Sequence, residues 1–258
     1  MTGTTSVYSS CSSTEDTRTM TKLSTLRFGA VLCLLALTSL GWSQNPQVSL
    51  RVHVTHQQKK GTSAHSSSAD VVVWLTPTQK NSQPAVQKGQ QFTLVQKDKQ
   101  FSPHILVVPT GSNVEFPNLD PFFHNVFSLF NGKRFDLGLY EGHTHRSVLF
   151  DREGISYIFC NIHPEMGAVI ISLSTPYYGI SSTDGSIVLH DVPPGRYRLH
   201  VWAENVPADH LEALSSIVET TGQNTDLGVL SLQVTGSLMQ HHLNKFGENY
   251  TATPKDPY

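Results

Sequence analysis

Apolar and polar residues alternate with a period of two along much of the chain after residue 46, and no long stretch carries the period of a helix. "QVSLRVHVT" (47–55) alternates as a strand does, and a polar loop, "HQQKKGTSAHSSSA", separates it from a more apolar strand, "DVVVWLTP" (70–77). "TQKNSQPAVQKGQ" has the composition of a linker. From "QFTLVQKDKQF" onward the predicted strands are short and closely set: "HILVVPTG", "NVEFPN", "HNVFSLF", "SVLFDREG", "ISYIFCNIH" and "AVIISLS". Thr110-Gly111, Asn131-Gly132 and Glu153-Gly154 mark turns between them, as in a sandwich or barrel. After residue 175 the texture changes, and Asp184-Gly185 and Pro194-Gly195 punctuate the strands "SIVLHDV" and "RYRLHVWA". "ENVPADHLEALSSIVETTGQNTD" is an irregular connection with one helical turn near His210–Leu214, and "LGVLSLQV" is a last strand. The tail from about Thr235 lacks apolar periodicity and is expected to be extended. The pattern predicts an all-β protein without internal repeats.

At 258 residues the chain is long enough for one large β domain or two small ones with a real core. A formal net charge of −2 leaves no polybasic footprint for nucleic acid and no acidic tail. The first 43 residues are set apart from the fold. "MTKLSTLRFGAVLCLLALTSLGWSQ" (20–44) has a basic start at Lys22 and Arg27, an apolar stretch to about Leu40, and small residues at Gly41 and Ser43. These are the three parts of a secretory signal, with Met20 a more typical start than Met1 and a cut expected after Ser43. The apolar stretch is short beside the roughly 20 residues of a membrane span, although an uncleaved anchor is the alternative. Leu32 is too bulky beside Cys33 for a lipoprotein site. A periplasmic or secreted location follows.

Cleavage would remove Cys11 and Cys33 and leave Cys160 alone in an oxidising compartment, unable to form an internal disulfide. The plain reading is a buried, inert thiol. Its neighbours argue otherwise. "CNIHPEM" sets His163 three positions after Cys160 and Met166 three after that, and "FFHNVFS" supplies His124 from another strand. A thiolate, two imidazoles and a thioether are the donors of a type 1 copper centre. Soft and borderline donors of this kind suit Cu(I) and Cu(II) and suit Mg²⁺ or Ca²⁺ poorly. Asn161-Ile162 and Pro164-Glu165 would turn the loop so that its donors face one ion. The structural alternative makes His163-Pro164 a simple turn, Met166 core filler and His124 a satisfied histidine.

Residues 90–175 resemble the cupredoxins, the small blue copper proteins. "FSPHILVVPTGSNVEFPN" is similar to their early strands, "DPFFHNV" to their first-ligand segment and "CNIHPEM" to their C-terminal ligand loop, in its short amicyanin-like form. The resemblance implies equatorial His124, Cys160 and His163 with axial Met166. It also implies that the backbone N–H of Asn125 bonds the cysteine sulfur, with Asn118 expected beside it behind the ligands. Glu165 is the competing donor, and would make the site less blue. The whole chain resembles bacterial exported proteins of the methylamine-utilisation or plastocyanin-like kind. "TDGSIVLHDVPPGRYRLHVWAE" resembles the carboxypeptidase-regulatory-like β-sandwich, and the N-terminal strands look like the opening of that module. The expected organisation is therefore a Greek-key cupredoxin sandwich at 88–175 inserted into a second small sandwich formed by 45–87 and 176–235, with a tail at 236–258.

Three strong ligands and a distant fourth leave no place for a substrate at the metal, so the expectation is one type 1 copper per chain, outer-sphere electron transfer and no enzymatic activity. Pro121, Phe122, Phe123 and Pro164 are expected to form an apolar patch around His163. There a redox protein such as a c-type cytochrome or a dehydrogenase would dock. The alternatives are a periplasmic copper carrier or storage protein, and a binding module with a vestigial copper site. A single Cys-His-Met loop makes an enzyme of the copper nitrite reductase type less fitting. His143 and His145 of "GHTH", placed on one face of a strand, are a candidate second metal pair or simply solvated. His53, His104 and His200 read as structural, and His241-His242 as a weak metal scavenger.

Overall fold

The alternating stretch Gln47–His56 is strand β1, and its residues Val48, Leu50, Val52 and Val54 are all buried. The computed structural model describes residues 46–56, 67–79, 84–129, 132–234 and 243–250. The expected signal over 1–43, with its start, cut and two cysteines, and the His241-His242 pair lie outside the described residues. Strand β1 sits in the middle of a three-stranded sheet, antiparallel to β14 (Ser186–His190) and parallel to β17 (Thr225–Val234). A four-stranded sheet faces it, in the order β13 (Tyr178–Ile180), β2 (Val72–Pro77), β15 (Gly195–Trp202) and β16 (Ser216–Thr220). Val48, Leu50, Val52, Val73, Leu75, Ile187, Leu189 and Leu199 belong to the core these sheets enclose. Strands before residue 80 and after residue 177 thus share one core. Gly185 joins them closely: its φ is +82°, and a Cβ there would stand 2.0 Å from the Val52 carbonyl oxygen.

The chain between them builds a second sandwich. One sheet runs β6 (Ile105–Pro109), β12 (Gly167–Leu173), β11 (Gly154–Phe159), β8 (His124–Ser128) and β9 (Phe135–Tyr140). The other runs β10 (His145–Phe150), β7 (Ser112–Pro117) and β3 (Gln91–Thr93), and β4 (Val95–Lys97) with β5 (Gln100–Ser102) forms a hairpin. The non-consecutive neighbours β12–β6, β11–β8 and β10–β7 are Greek-key crossovers. Phe116, Val126, Phe150, Ile158 and Ile170 are among the buried residues of this core, and Cys160 and Met166 belong to the same cluster. Among the described residues the only helix is α1 (Ala208–Leu214), and none is long and apolar enough to cross a membrane. The protein is all-β.

A third apolar cluster explains why "AVIISLS" is apolar without alternation. Ala168 and Ile170 of β12 point into the second core, while Val169, Ile171 and Leu173 meet Val72 and Trp202 of the neighbouring sandwich. A strand covered on both faces reads as a continuous apolar run. The seam is not filled throughout. A groove of about 1020 Å³ opens along it, lined by residues that include Trp74, Tyr157, His200 and Trp202, and by none of the four candidate ligands.

The seam also carries one ionic link. His104 Nε2 lies 2.8 Å from Glu204 Oε2, and its Nδ1 lies 3.2 Å from the Gly167 carbonyl oxygen. With an acceptor at each ring nitrogen, the doubly protonated imidazolium is the form this pocket satisfies. The bond to Glu204 raises the His104 pKa above 6.5 in spite of partial burial. Its contribution to stability is therefore fully present below pH 6.5 and lost as pH rises through the folded-state value. Solvent screening limits it to about 1 kcal/mol or less. Glu204→Gln is expected to flatten this slope in urea titrations from pH 5.5 to 8.5, an interval flanking the histidine value; an unchanged slope would assign it elsewhere.

Candidate metal centre

Two elements bring the donors together. Strand β8 opens on His124, and the adjacent strand β11 ends at Phe159, so that Cys160 is the first residue of the loop beyond it. That loop is closed by two backbone bonds, Met166 N–H to the His163 carbonyl (3.1 Å) and Cys160 N–H to the Met166 carbonyl (3.3 Å). Cys160 Sγ lies 3.9 Å from His124 Nδ1 and 3.7 Å from His163 Nδ1, and the two nitrogens are 3.1 Å apart. The point equidistant from these three atoms is about 2.1 Å from each, the length of a first-row metal–imidazole bond and close to that of a metal–thiolate bond. Among the described residues this is the only group of three or more His, Cys, Asp or Glu donors set to hold one ion. The donor set fits a copper ion in chemistry and in spacing. Met166 is fully buried in the same apolar cluster as Cys160, whereas Glu165 is exposed and outside the converging group.

The residues behind the donors fix their states. Burial pushes the Cys160 thiol up, against backbone N–H bonds from Asn125, Ile162 and His163 that favour the thiolate. Metal binding would therefore release a proton from this site. The Asn125 side chain donates to Asp136 Oδ1 at 2.8 Å. Asn118 is fully buried; its amide donates to the Phe122 carbonyl (2.8 Å) and its oxygen accepts the Asp120 N–H (3.0 Å).

Asp120 is the functional residue that the sequence reasoning missed. His124 Nε2 donates to Asp120 Oδ2 at 2.7 Å, which leaves Nδ1 as the lone-pair nitrogen facing Cys160 and His163. The same carboxylate accepts N–H bonds from Asp98 (2.7 Å) and Lys99 (3.0 Å), at the tip of the β4–β5 hairpin. Burial alone would raise Asp120, but the bonds from His124, Lys99 and Asp98 outweigh it and hold the carboxyl below its usual value. The segment is tightly seated, since a Cβ on Gly142 would fall 2.2 Å from the Asp120 carbonyl oxygen. The signal in sequence was only "DPFFH", an i, i+4 pair that carries no meaning outside a helix. Three donors converge on Asp120, and an amide at this position would turn its own NH₂ toward one of them. Asp120→Asn is accordingly expected to weaken Co(II) binding, read by competition with a chelator, about 10- to 100-fold. Unchanged affinity would remove Asp120 from the site.

Around the loop, Pro121 and Pro164 are exposed, Phe122 and His163 are half-buried, and Phe123 is 54% exposed. Leu119 and Ile162 are also exposed. Phe122 lies against both histidines, with ring centroids 5.2 Å from His124 and 5.8 Å from His163. His143 is not on a strand as expected. It lies in the turn between β9 and β10, at φ 61°, with its N–H on the Asn118 carbonyl. His143 and His145 are both exposed, and among the described residues no third donor joins them.

Structural neighbours include cupredoxins over part of the chain. A purple cupredoxin from Nitrosopumilus maritimus is 21% identical, with 32% of this chain and 99% of that one covered and a TM-score of 0.29. Amicyanin from Paracoccus versutus is 19% identical over 38% of this chain and 97% of its own, at a TM-score of 0.30. A copper-containing nitrite reductase from Thermus scotoductus SA-01 is 18% identical over 47% of this chain and 28% of its own, at a TM-score of 0.32. No family model and no curated protein matches the chain. The resemblances to methylamine-utilisation chains and to the carboxypeptidase-regulatory-like module therefore rest on their motifs alone.

Proposed function

We propose that the protein is an exported type 1 copper protein that carries single electrons between redox partners and catalyses no reaction of its own. The observation that carries this reading is the triangle formed by His124 Nδ1, His163 Nδ1 and the sulfur of the fully buried Cys160. Copper held there would supply a one-electron couple. The chain's own part is to keep the donors in place: strand β8 carries His124, the loop that leaves the adjacent β11 carries Cys160, and Asp120 sets the His124 tautomer. A frame of this kind needs little rearrangement when the charge at its centre changes.

Phe122 packs against the half-buried His163, and with the exposed Pro121, Phe123 and Pro164 it would offer an apolar face for a weak, transient contact with a c-type cytochrome or a dehydrogenase. A carrier would use the same donors but must hand the metal over through accessible ligands. Here His124, Cys160 and Met166 are all at 0% exposure, which favours retention. The test is a visible and EPR spectrum of the full chain after addition of Cu(II). An intense thiolate-to-copper band with narrow copper hyperfine splitting is expected. A colourless protein whose thiol still titrates would end the proposal.

A further inference from the structure

Residues 243–250, in a tail without apolar periodicity, lie on the candidate ligand loop. Asn244 folds this segment into a turn: its side-chain oxygen accepts the N–H groups of Phe246 and Glu248, both at 2.9 Å, and Gly247 at φ +81° donates its own N–H to the Asn244 carbonyl (3.0 Å). The turn presents three groups to the site. Tyr250 Oη donates to the Cys160 carbonyl oxygen at 2.7 Å. The Lys245 backbone N–H donates to Asn161 Oδ1 at 2.9 Å. Lys245 Nζ pairs with Asp136 Oδ2 at 2.7 Å, and the other oxygen of that carboxylate holds the side chain of Asn125, the residue after His124 on strand β8.

The Cys160 peptide needs such support. The middle of its loop, from Ile162 to Glu165, is largely exposed, and the bond from the Cys160 N–H to Met166 is long at 3.3 Å. On the carbonyl side the bond comes from Tyr250, ninety positions along the chain. We infer that residues 243–250 are a positioning strap for Cys160, reaching its peptide through Tyr250 and the adjacent strand that carries His124 through Lys245, Asp136 and Asn125. The inference rests on the metal-centre reading for its purpose, but not for its mechanics. Tyr250 and Lys245 hold the cysteine at its distance from the two imidazoles, so that the trigonal spacing exists before metal arrives.

The test uses Tyr250→Phe, Lys245→Met and Lys245→Arg in the full chain. Lys245→Met keeps the backbone bond to Asn161 and removes only the pair with Asp136. In metal-free protein, amide hydrogen exchange at Asn161–His163 and Met166 is expected to quicken about 10-fold in Tyr250→Phe, the size of one lost hydrogen bond. With copper, Tyr250→Phe and Lys245→Met are expected to weaken Cu(I) binding roughly 3- to 10-fold and to shift the reduction potential, while Lys245→Arg restores both. Unchanged exchange together with unchanged affinity and potential would overturn the strap. Faster exchange in a protein that never binds copper would keep the strap and remove the metal-centre reading instead.

Discussion

Cys160→Ser is expected to abolish the visible thiolate-to-copper band and all reversible redox cycling while leaving the fold in place. The two halves of that result have separate causes. A hydroxyl does not ionise to bind copper as a thiolate does, so the soft anionic donor is lost and only two imidazoles and Met166 remain. The fold survives because serine is nearly the same shape. The backbone surroundings at Asn125, Ile162 and His163 favour an anionic sulfur, so a polar hydroxyl is not placed among apolar groups alone, which limits the cost of burying it. Stability should change by less than about 1 kcal/mol, well inside what single buried substitutions usually cost. The measurement pairs absorbance and voltammetry on Cu-treated protein with urea unfolding. Retained colour in the variant would show that the sulfur is not a ligand. Loss of redox cycling with intact delivery of Cu(I) to a chelator would favour a carrier over an electron shuttle.

The ligand loop was legible in the sequence because its chemistry is local. Cys160, His163 and Met166 fall within seven consecutive residues, and an ion demands that spacing whatever surrounds it. The strands that face a core on one side were legible from alternation, as in β1. Strands covered on both sides, β2 and β12, could be read as strands, but an unbroken apolar run does not say which layer each residue faces. Of the edge strands, β16 passed for irregular connection, and β9 and β13 were not among the predicted strands. β9 is interrupted by Gly138 at φ +68°, and β16 exposes most of its residues, so neither carries a clean period. Asp120, Lys245 and Tyr250 were illegible for another reason. Each acts through hydrogen bonds between irregular segments, and Lys245 and Tyr250 reach across more than eighty positions, with no periodic constraint to leave a trace.

The second large effect is expected far from the donors, at Trp202. This residue is 3% exposed in the seam cluster with Val72, Ile105, Val107, Val169, Ile171 and Leu173. Trp202→Ala is expected to cost about 3–5 kcal/mol, the range for truncating a large buried aromatic. The lower end is favoured, because Trp202 also lines the open groove and water can enter part of the space it leaves. The consequence for the site follows from β12. Its residues Val169 and Ile171 meet the seam, while Ala168 and Ile170 meet the core that holds Cys160, so the seam and the donor core share one strand. In the wild-type chain, Cys160 thiol reactivity and loss of far-ultraviolet ellipticity should rise at one urea concentration. Weakening the seam removes the contact that makes the sandwiches unfold together, and in Trp202→Ala the two transitions should separate. A loss below about 1 kcal/mol with transitions still coincident would mean that the seam contributes little and that each sandwich stands on its own core.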